Sequence, residues 1–163
     1  MTRSKTIIRS AVLTASDTRH LDNDVSGTIL VGLLVSIGAE IVDRRIVKDD
    51  LDSIRQTLTE FVIRDDVNLV LTTGGTGFSP RDNTPEATLS VIERQASGIA
   101  EAIRRASMER TPMAMLSRGV AGICGNTLII NFPGSPKAVA ECFDVIKPIL
   151  QHAIDQISDS SFH

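Results

Sequence analysis

The chain has 163 residues, 42% of them hydrophobic and 23% charged, the composition of a globular protein with one domain expected over residues 1–163. A net charge of −3 argues against a nucleic-acid binder, and 3% aromatic residues with no Trp or Tyr rules out base stacking as a main source of affinity. No apolar run reaches the length of a membrane span, and the first residues lack a signal peptide's apolar segment, so no membrane partner and a cytoplasmic location are expected.

Arg9–Ser16 reads as a strand closing in Thr14-Ala15-Ser16-Asp17. A polar loop then leads to a helix with Ile29, Leu30, Leu33, Leu34 and Ile37 on one face, stopped by Gly38. Glu40–Val47 is a second strand. The next helix is capped by Asp49 or Asp50 and turns Leu51, Ile54, Leu58, Phe61 and Val62 inward. Val67–Thr73 is a third strand. A helix opening at Thr84-Pro85 and another after Gly98 follow, the latter ending before Thr111-Pro112. Val120–Cys124 and Thr127–Asn131 form a hairpin around Gly125-Asn126. Pro133-Gly134-Ser135-Pro136 opens a long C-terminal helix that Pro148 is expected to kink or divide. Cys124 and Cys142 are too few to staple such a fold and read as reduced core thiols.

The alternation predicts an α/β three-layer sandwich: a mostly parallel sheet, helices on both faces and one antiparallel hairpin strand. Ligands of such sheets sit beyond the carboxyl ends of the strands. Polar or glycine-rich signals follow strands at Thr14–Asp17, Lys48-Asp49, Gly74–Asp82 and Pro133–Ser135, which places them on one rim.

The run from Leu69 through Gly74-Gly75-Thr76-Gly77 to Arg81-Asp82-Asn83-Thr84-Pro85-Glu86 is the most specific segment. Glycine N–H groups facing a helix start, with Thr84 as its N-cap and Glu86 in its first turn, suit a cradle for phosphate; the competing reading is a tight strand-to-helix turn whose glycines serve only backbone geometry, which the Arg81–Glu86 continuation disfavours. The absence of Lys-Ser/Thr after the glycines excludes a Walker A loop, and the G-x-G-x-x-G spacing is missing. Asp82 suits a metal ion or a substrate hydroxyl, or else serves only as a helix-start acid. His20, His152 and His163 are not spaced as metal ligands or as part of a triad.

Ser16-Asp17, Asp24-Val25-Ser26-Gly27, the glycine loop with Arg81-Asp82-Asn83-Thr84-Pro85-Glu86-Ala87, Leu116-Ser117-Arg118 and Pro133-Gly134-Ser135-Pro136 together resemble the MoaB/Mog family of molybdenum cofactor biosynthesis. The resemblance runs from about Ile8 to Ile157, and the second half is similar to the molybdopterin adenylyltransferase branch. It implies transfer of AMP from Mg-ATP to the terminal phosphate of molybdopterin, release of pyrophosphate, hand-over to a separate MoeA-like molybdate-insertion protein, and a homotrimer. It also implies Asp82 and Asp49 as catalytic and Mg²⁺-binding carboxylates; for Asp49 a plain helix cap is the competing role.

The binding set implied alongside them is Ser16, Asp17, Asp24, Ser26, Gly74, Gly75, Thr76, Gly77, Arg81, Ser117, Arg118, Pro133, Gly134 and Ser135. Ser117 and Arg118 match positions that face the pterin and its phosphate. Lys137 either meets a phosphate or lies in solvent. A non-catalytic molybdopterin-binding member of the same family is the alternative; the retention of both Asp49 and Asp82 favours the enzyme.

Overall fold

The computed structural model describes residues 4–159. Six strands form one sheet in the order β2-β1-β3-β6-β5-β4. They are β1 (Arg9–Ala15), β2 (Glu40–Val47), β3 (Leu69–Thr73), β4 (Arg94–Gln95), β5 (Ala121–Cys124) and β6 (Thr127–Phe132). β2, β1, β3 and β6 run parallel, and β5 lies antiparallel to both of its neighbours, as the hairpin predicted. The two-residue β4 at the sheet edge carries no hydrophobic pattern and is absent from the sequence reading.

Strand alternation sorts side chains between two cores. Val12, Leu69, Leu71, Leu128, Ile130 and Phe132 face one layer, built from α1 (Val25–Ser36), α4 (Ser97–Met108) and α5 (Pro136–Asp159). Ala11, Leu13, Val70 and Ile129 face the other, where α2 (Leu51–Val62) and α3 (Thr84–Val91) pack through Ile54, Leu58, Phe61 and Ala87. Both faces of the central strands are covered, which explains their nearly unbroken apolar sequences.

α1 ends as Gly38 predicts: Gly38 takes a φ of +84°, and the Gly38 and Ala39 N–H groups donate back to Val35 and Leu34. α5 continues through Pro148 undivided, which removes one of the two outcomes expected there. Proline removes one N–H bond, but Ile146, Leu150 and Ile154 stay buried on either side, and that packing holds the helical register. The thiols divide as well. Cys142 is buried, whereas Cys124 lies half-exposed on the hairpin with its Sγ donating to Glu93 Oε1. Among the described residues no helix is long and apolar enough to cross a membrane.

Candidate functional site

The parallel strands β2, β1, β3 and β6 deliver their four C-terminal connections to one rim, as predicted. The end of β3 and the loop after it are held tightly against the connection after β6. Gly74 donates its N–H to the Phe132 carbonyl, and Thr73 Oγ1 donates to Pro133 O at 2.7 Å. Gly75 has φ +70°, and a Cβ there would lie 2.3 Å from Thr84 Oγ1 and 3.2 Å from Asp49 Oδ1. Only glycine accepts both the positive φ and the space. The following helix starts one residue earlier than expected. Asn83 occupies the cap position without a side-chain cap bond, and Thr84 instead donates its hydroxyl to the Gly74 carbonyl at 2.9 Å. Thr84 therefore fastens the glycine loop to α3 rather than capping the helix.

Between Asp49 and Asp50, the structure gives the cap to Asp50, whose carboxylate accepts from Ser53 N and Ser53 Oγ. Asp49 is left for other work. Its backbone N–H donates to Asp17 Oδ1, and its Oδ2 accepts from Asp17 N at 3.2 Å, a reciprocal tie between the β1 and β2 connections. Its Oδ1 is buried with no hydrogen-bond partner. Burial, then the neighbouring charges of Asp17 and Asp82, push the Asp49 carboxyl above the usual range. Asp17 is shifted the other way, chiefly by its bidentate bond to the Arg81 guanidinium. Asp82 lies across the loop: its Oδ2 accepts from Ser79 N, and a Cβ on Gly77 would lie 2.9 Å from it.

Several expected ligand residues are taken up by the protein itself. Asp24 is fully buried and accepts from Thr14 Oγ1 at 2.7 Å, from Gly27 N as the α1 cap, and from Arg44 Nη2 at 3.2 Å. These bonds make it an organiser of the loop. Ser26 Oγ donates to Gly134 O at 2.6 Å, tying α1 to the Pro133–Pro136 turn. Ser16 Oγ accepts from Thr18 N and Arg19 N, and Ser135 Oγ accepts from Ala138 N at the start of α5. Lys137 is exposed.

Arg118 is a clamp on the glycine loop. Its Nε donates to Gly77 O and its Nη2 to Asp82 O, each at 2.8 Å, while Nη1 pairs with Glu86. The Arg118 N–H also donates to Thr76 O.

Beside the loop opens a cavity of about 440 Å³, bounded by Gly75–Gly77, Asp82, Pro133 and Gly134 on one side. On the other side stand α4, a 3-10 turn at Pro112–Leu116 and the beginning of α5. Ser117 lines it, as does Arg104, which the sequence reading missed. Arginine on an otherwise solvated-looking helix face carries no sequence signal. Asn131 was missed too; its buried amide donates to Thr72 Oγ1 and Thr88 Oγ1, and its carbonyl accepts from Val120 N, locking β3, α3 and the segment after Arg118 together. Among the described residues no three His, Cys, Asp or Glu side chains are assembled to hold a metal unaided. His163 lies outside the described residues.

Known proteins share this architecture. The chain is 46% identical over 155 residues to the molybdenum cofactor synthesis protein cinnamon of Drosophila melanogaster, covering 93% of this chain but 26% of that protein. It thus spans about a quarter of the length of that relative. A molybdopterin adenylyltransferase of Helicobacter pylori is 37% identical, over 92% of this chain and 88% of its own. The crystal structure of the molybdopterin biosynthesis enzyme MoaB from Thermus thermophilus superposes with a TM-score of 0.86 at 38% identity, covering 94% of this chain and 98% of that one. The family described as a probable molybdopterin binding domain matches residues 11–152. With the rim, the glycine loop and these similarities in agreement, the chain belongs to the molybdenum cofactor biosynthesis family that carries this domain.

Proposed function

We propose that the protein is a molybdopterin adenylyltransferase: an oxygen of the terminal phosphate of molybdopterin attacks the α-phosphorus of ATP, the bond to the β-phosphate breaks, and pyrophosphate leaves. The observation that carries this reading is Asp49 Oδ1, a buried carboxylate oxygen without a partner, set against Gly75 of the glycine loop. A folded protein leaves a charged acceptor unsatisfied at a cost, and a ligand at that place removes it. The Helicobacter pylori relative that bears the adenylyltransferase name, similar along 88% of its length, supports the same reading.

In this mechanism the N–H groups of Gly75–Gly77 bind phosphate oxygens, and Asp49 and Asp82 would hold Mg²⁺, a hard cation that takes carboxylate oxygens. When bound, Mg²⁺ supplies charge neutralisation for the phosphates of ATP. The chain's own contribution is positioning. Arg118 and Thr84 fix the loop from two sides, and the Asp17–Arg81 pair holds Asp49 at the rim. Neither nucleic acid nor membrane enters this scheme. The product passes in the cytoplasm to a separate MoeA-like insertion protein, and the enzyme acts as a homotrimer.

Incubation with Mg-ATP and molybdopterin tests the activity directly. Adenylylated pterin and pyrophosphate are expected in equal amounts. Molybdopterin binding without any AMP transfer would make the protein a carrier and not an enzyme.

A further inference from the structure

The cavity beside the glycine loop holds two charged side chains that the phosphate chemistry does not use. Arg104 enters from α4, half-buried, and its Nη1 donates to the carbonyls of Ser117 at 2.8 Å and Gly119 at 3.2 Å. Those two bonds fix the plane of the guanidinium, yet no carboxylate faces it among the described residues. Glu141 enters from α5 with its side chain 19% exposed. Its partner is Arg110, itself 60% exposed and so weakly bound, and its Oε2 receives no hydrogen bond among the described residues. Arg104 and Glu141 line the same cavity without pairing to each other, amid Ile103, Met113, Leu116 and Ala138.

An apolar cavity with one fixed donor fork and one open acceptor is complementary to a planar heterocycle bearing both a carbonyl and N–H groups. Resting on the adenylyltransferase reading, we infer that Arg104 and Glu141 determine specificity for the pterin by reading its 2-amino-4-oxo edge. Arg104 donates to the ring carbonyl, and Glu141 accepts from the ring N–H and the 2-amino group. Adenine has an amino group but neither a carbonyl nor an adjacent ring N–H, so the base of ATP satisfies neither residue fully. The pair therefore keeps the two substrates of the reaction from exchanging places.

Two analogues isolate the contact: 6-hydroxymethylpterin and 6-hydroxymethyllumazine, in which an oxo group replaces the 2-amino group. Displacement of bound molybdopterin by each is measured by direct binding. The wild-type protein should prefer the pterin by about tenfold or more, because the oxo group confronts Glu141 with a second acceptor. Glu141→Gln should abolish that preference, since an amide can donate to the oxo group. Arg104→Met should raise the KM for molybdopterin about tenfold while the KM for ATP stays within about twofold, with Arg104→Lys intermediate because it keeps charge without the planar fork.

Retained discrimination in Glu141→Gln would overturn the assignment. So would a KM change confined to ATP, or a thermal defect in Arg104→Met with both KM values unchanged, which is the signature of a residue that only supports Ser117 and Gly119. A wild-type protein that binds the pterin selectively but transfers no AMP would refute the proposed activity and leave this pair standing.

Discussion

The connections after β1 and β2 each bring an aspartate below the surface of the same rim, and the two are used in opposite ways. Asp24 meets Thr14, Gly27 and Arg44, so its charge is consumed within the fold. Asp49 has one oxygen bonded to the Asp17 N–H and the other buried with nothing. Burial alone therefore does not mark a functional carboxylate. The mark is burial without satisfaction, next to a backbone that closes tightly around it, as Gly75 does at Asp49.

The sharpest way to break this contrast is to remove each carboxylate. Asp24→Ala strands Arg44 beside a cavity and deletes the α1 cap, and breaking one partner of a buried ion pair costs about 3–5 kcal/mol. Urea denaturation should show a loss of that size. A loss below about 1 kcal/mol, the value of a simple cap, would mean that the pair with Arg44 contributes nothing.

Asp49→Asn should do the reverse. The side chain keeps its shape and loses a charge that burial disfavours, so stability stays level or rises. AMP transfer at saturating Mg²⁺ should fall about a hundredfold or more, the scale seen when a preorganised electrostatic group is removed. Single-turnover transfer and thermal melting on the same preparation check both halves. A variant that is less stable but fully active would place Asp49 with Asp24 as a structural residue.

Arg118→Ala sharpens the comparison on the other side of the loop. The family resemblance implied that Arg118 faces the pterin and its phosphate; in the structure its guanidinium bonds Gly77 O, Asp82 O and Glu86. Removing it loosens the glycine loop itself. Titrations should then show ATP and molybdopterin affinity falling together, each by about tenfold, the value of one to two charge-assisted hydrogen bonds. A loss confined to molybdopterin would return Arg118 to direct ligand contact.

These contrasts show what the sequence could and could not carry. The mostly parallel sheet and the shared rim were legible because the apolar runs of β1, β3 and β6 are short and bounded, and Gly38, Gly125-Asn126 and the proline turns punctuate them clearly. Residue types at the rim were legible as well. Their division of labour was not, since an aspartate next to a loop reads the same whether Thr14 and Arg44 consume it or leave it open. That outcome depends on contacts across many intervening residues, such as Ser26 to Gly134 and Asn131 to Thr88. Pro148 leaves α5 undivided for the related reason that tertiary packing outweighs one missing hydrogen bond.

The smallest expected effect concerns acid. Burial, reinforced by Asp17 and Asp82, raises the Asp49 carboxyl above its ordinary value of 3.8, so the folded state binds the proton more tightly than the unfolded chain does. Stability from this group is fully present below 3.8 and is lost as pH climbs through the raised value. Asp17 acts oppositely: Arg81 depresses its carboxyl below 3.8, so its contribution is present above that value and is lost as pH falls through the depressed one. In the absence of divalent metal, the stability difference between Asp49→Asn and wild type should therefore grow from acid toward neutral pH and level off once Asp49 is ionised. Arg81→Met should lower stability toward neutral pH, with the deficit closing in acid. Urea midpoints collected every half unit across the carboxylate range resolve both slopes, and a difference for Asp49→Asn that is flat with pH would show that the orphaned oxygen carries no penalty as an anion, removing the physical ground for reading it as a waiting ligand.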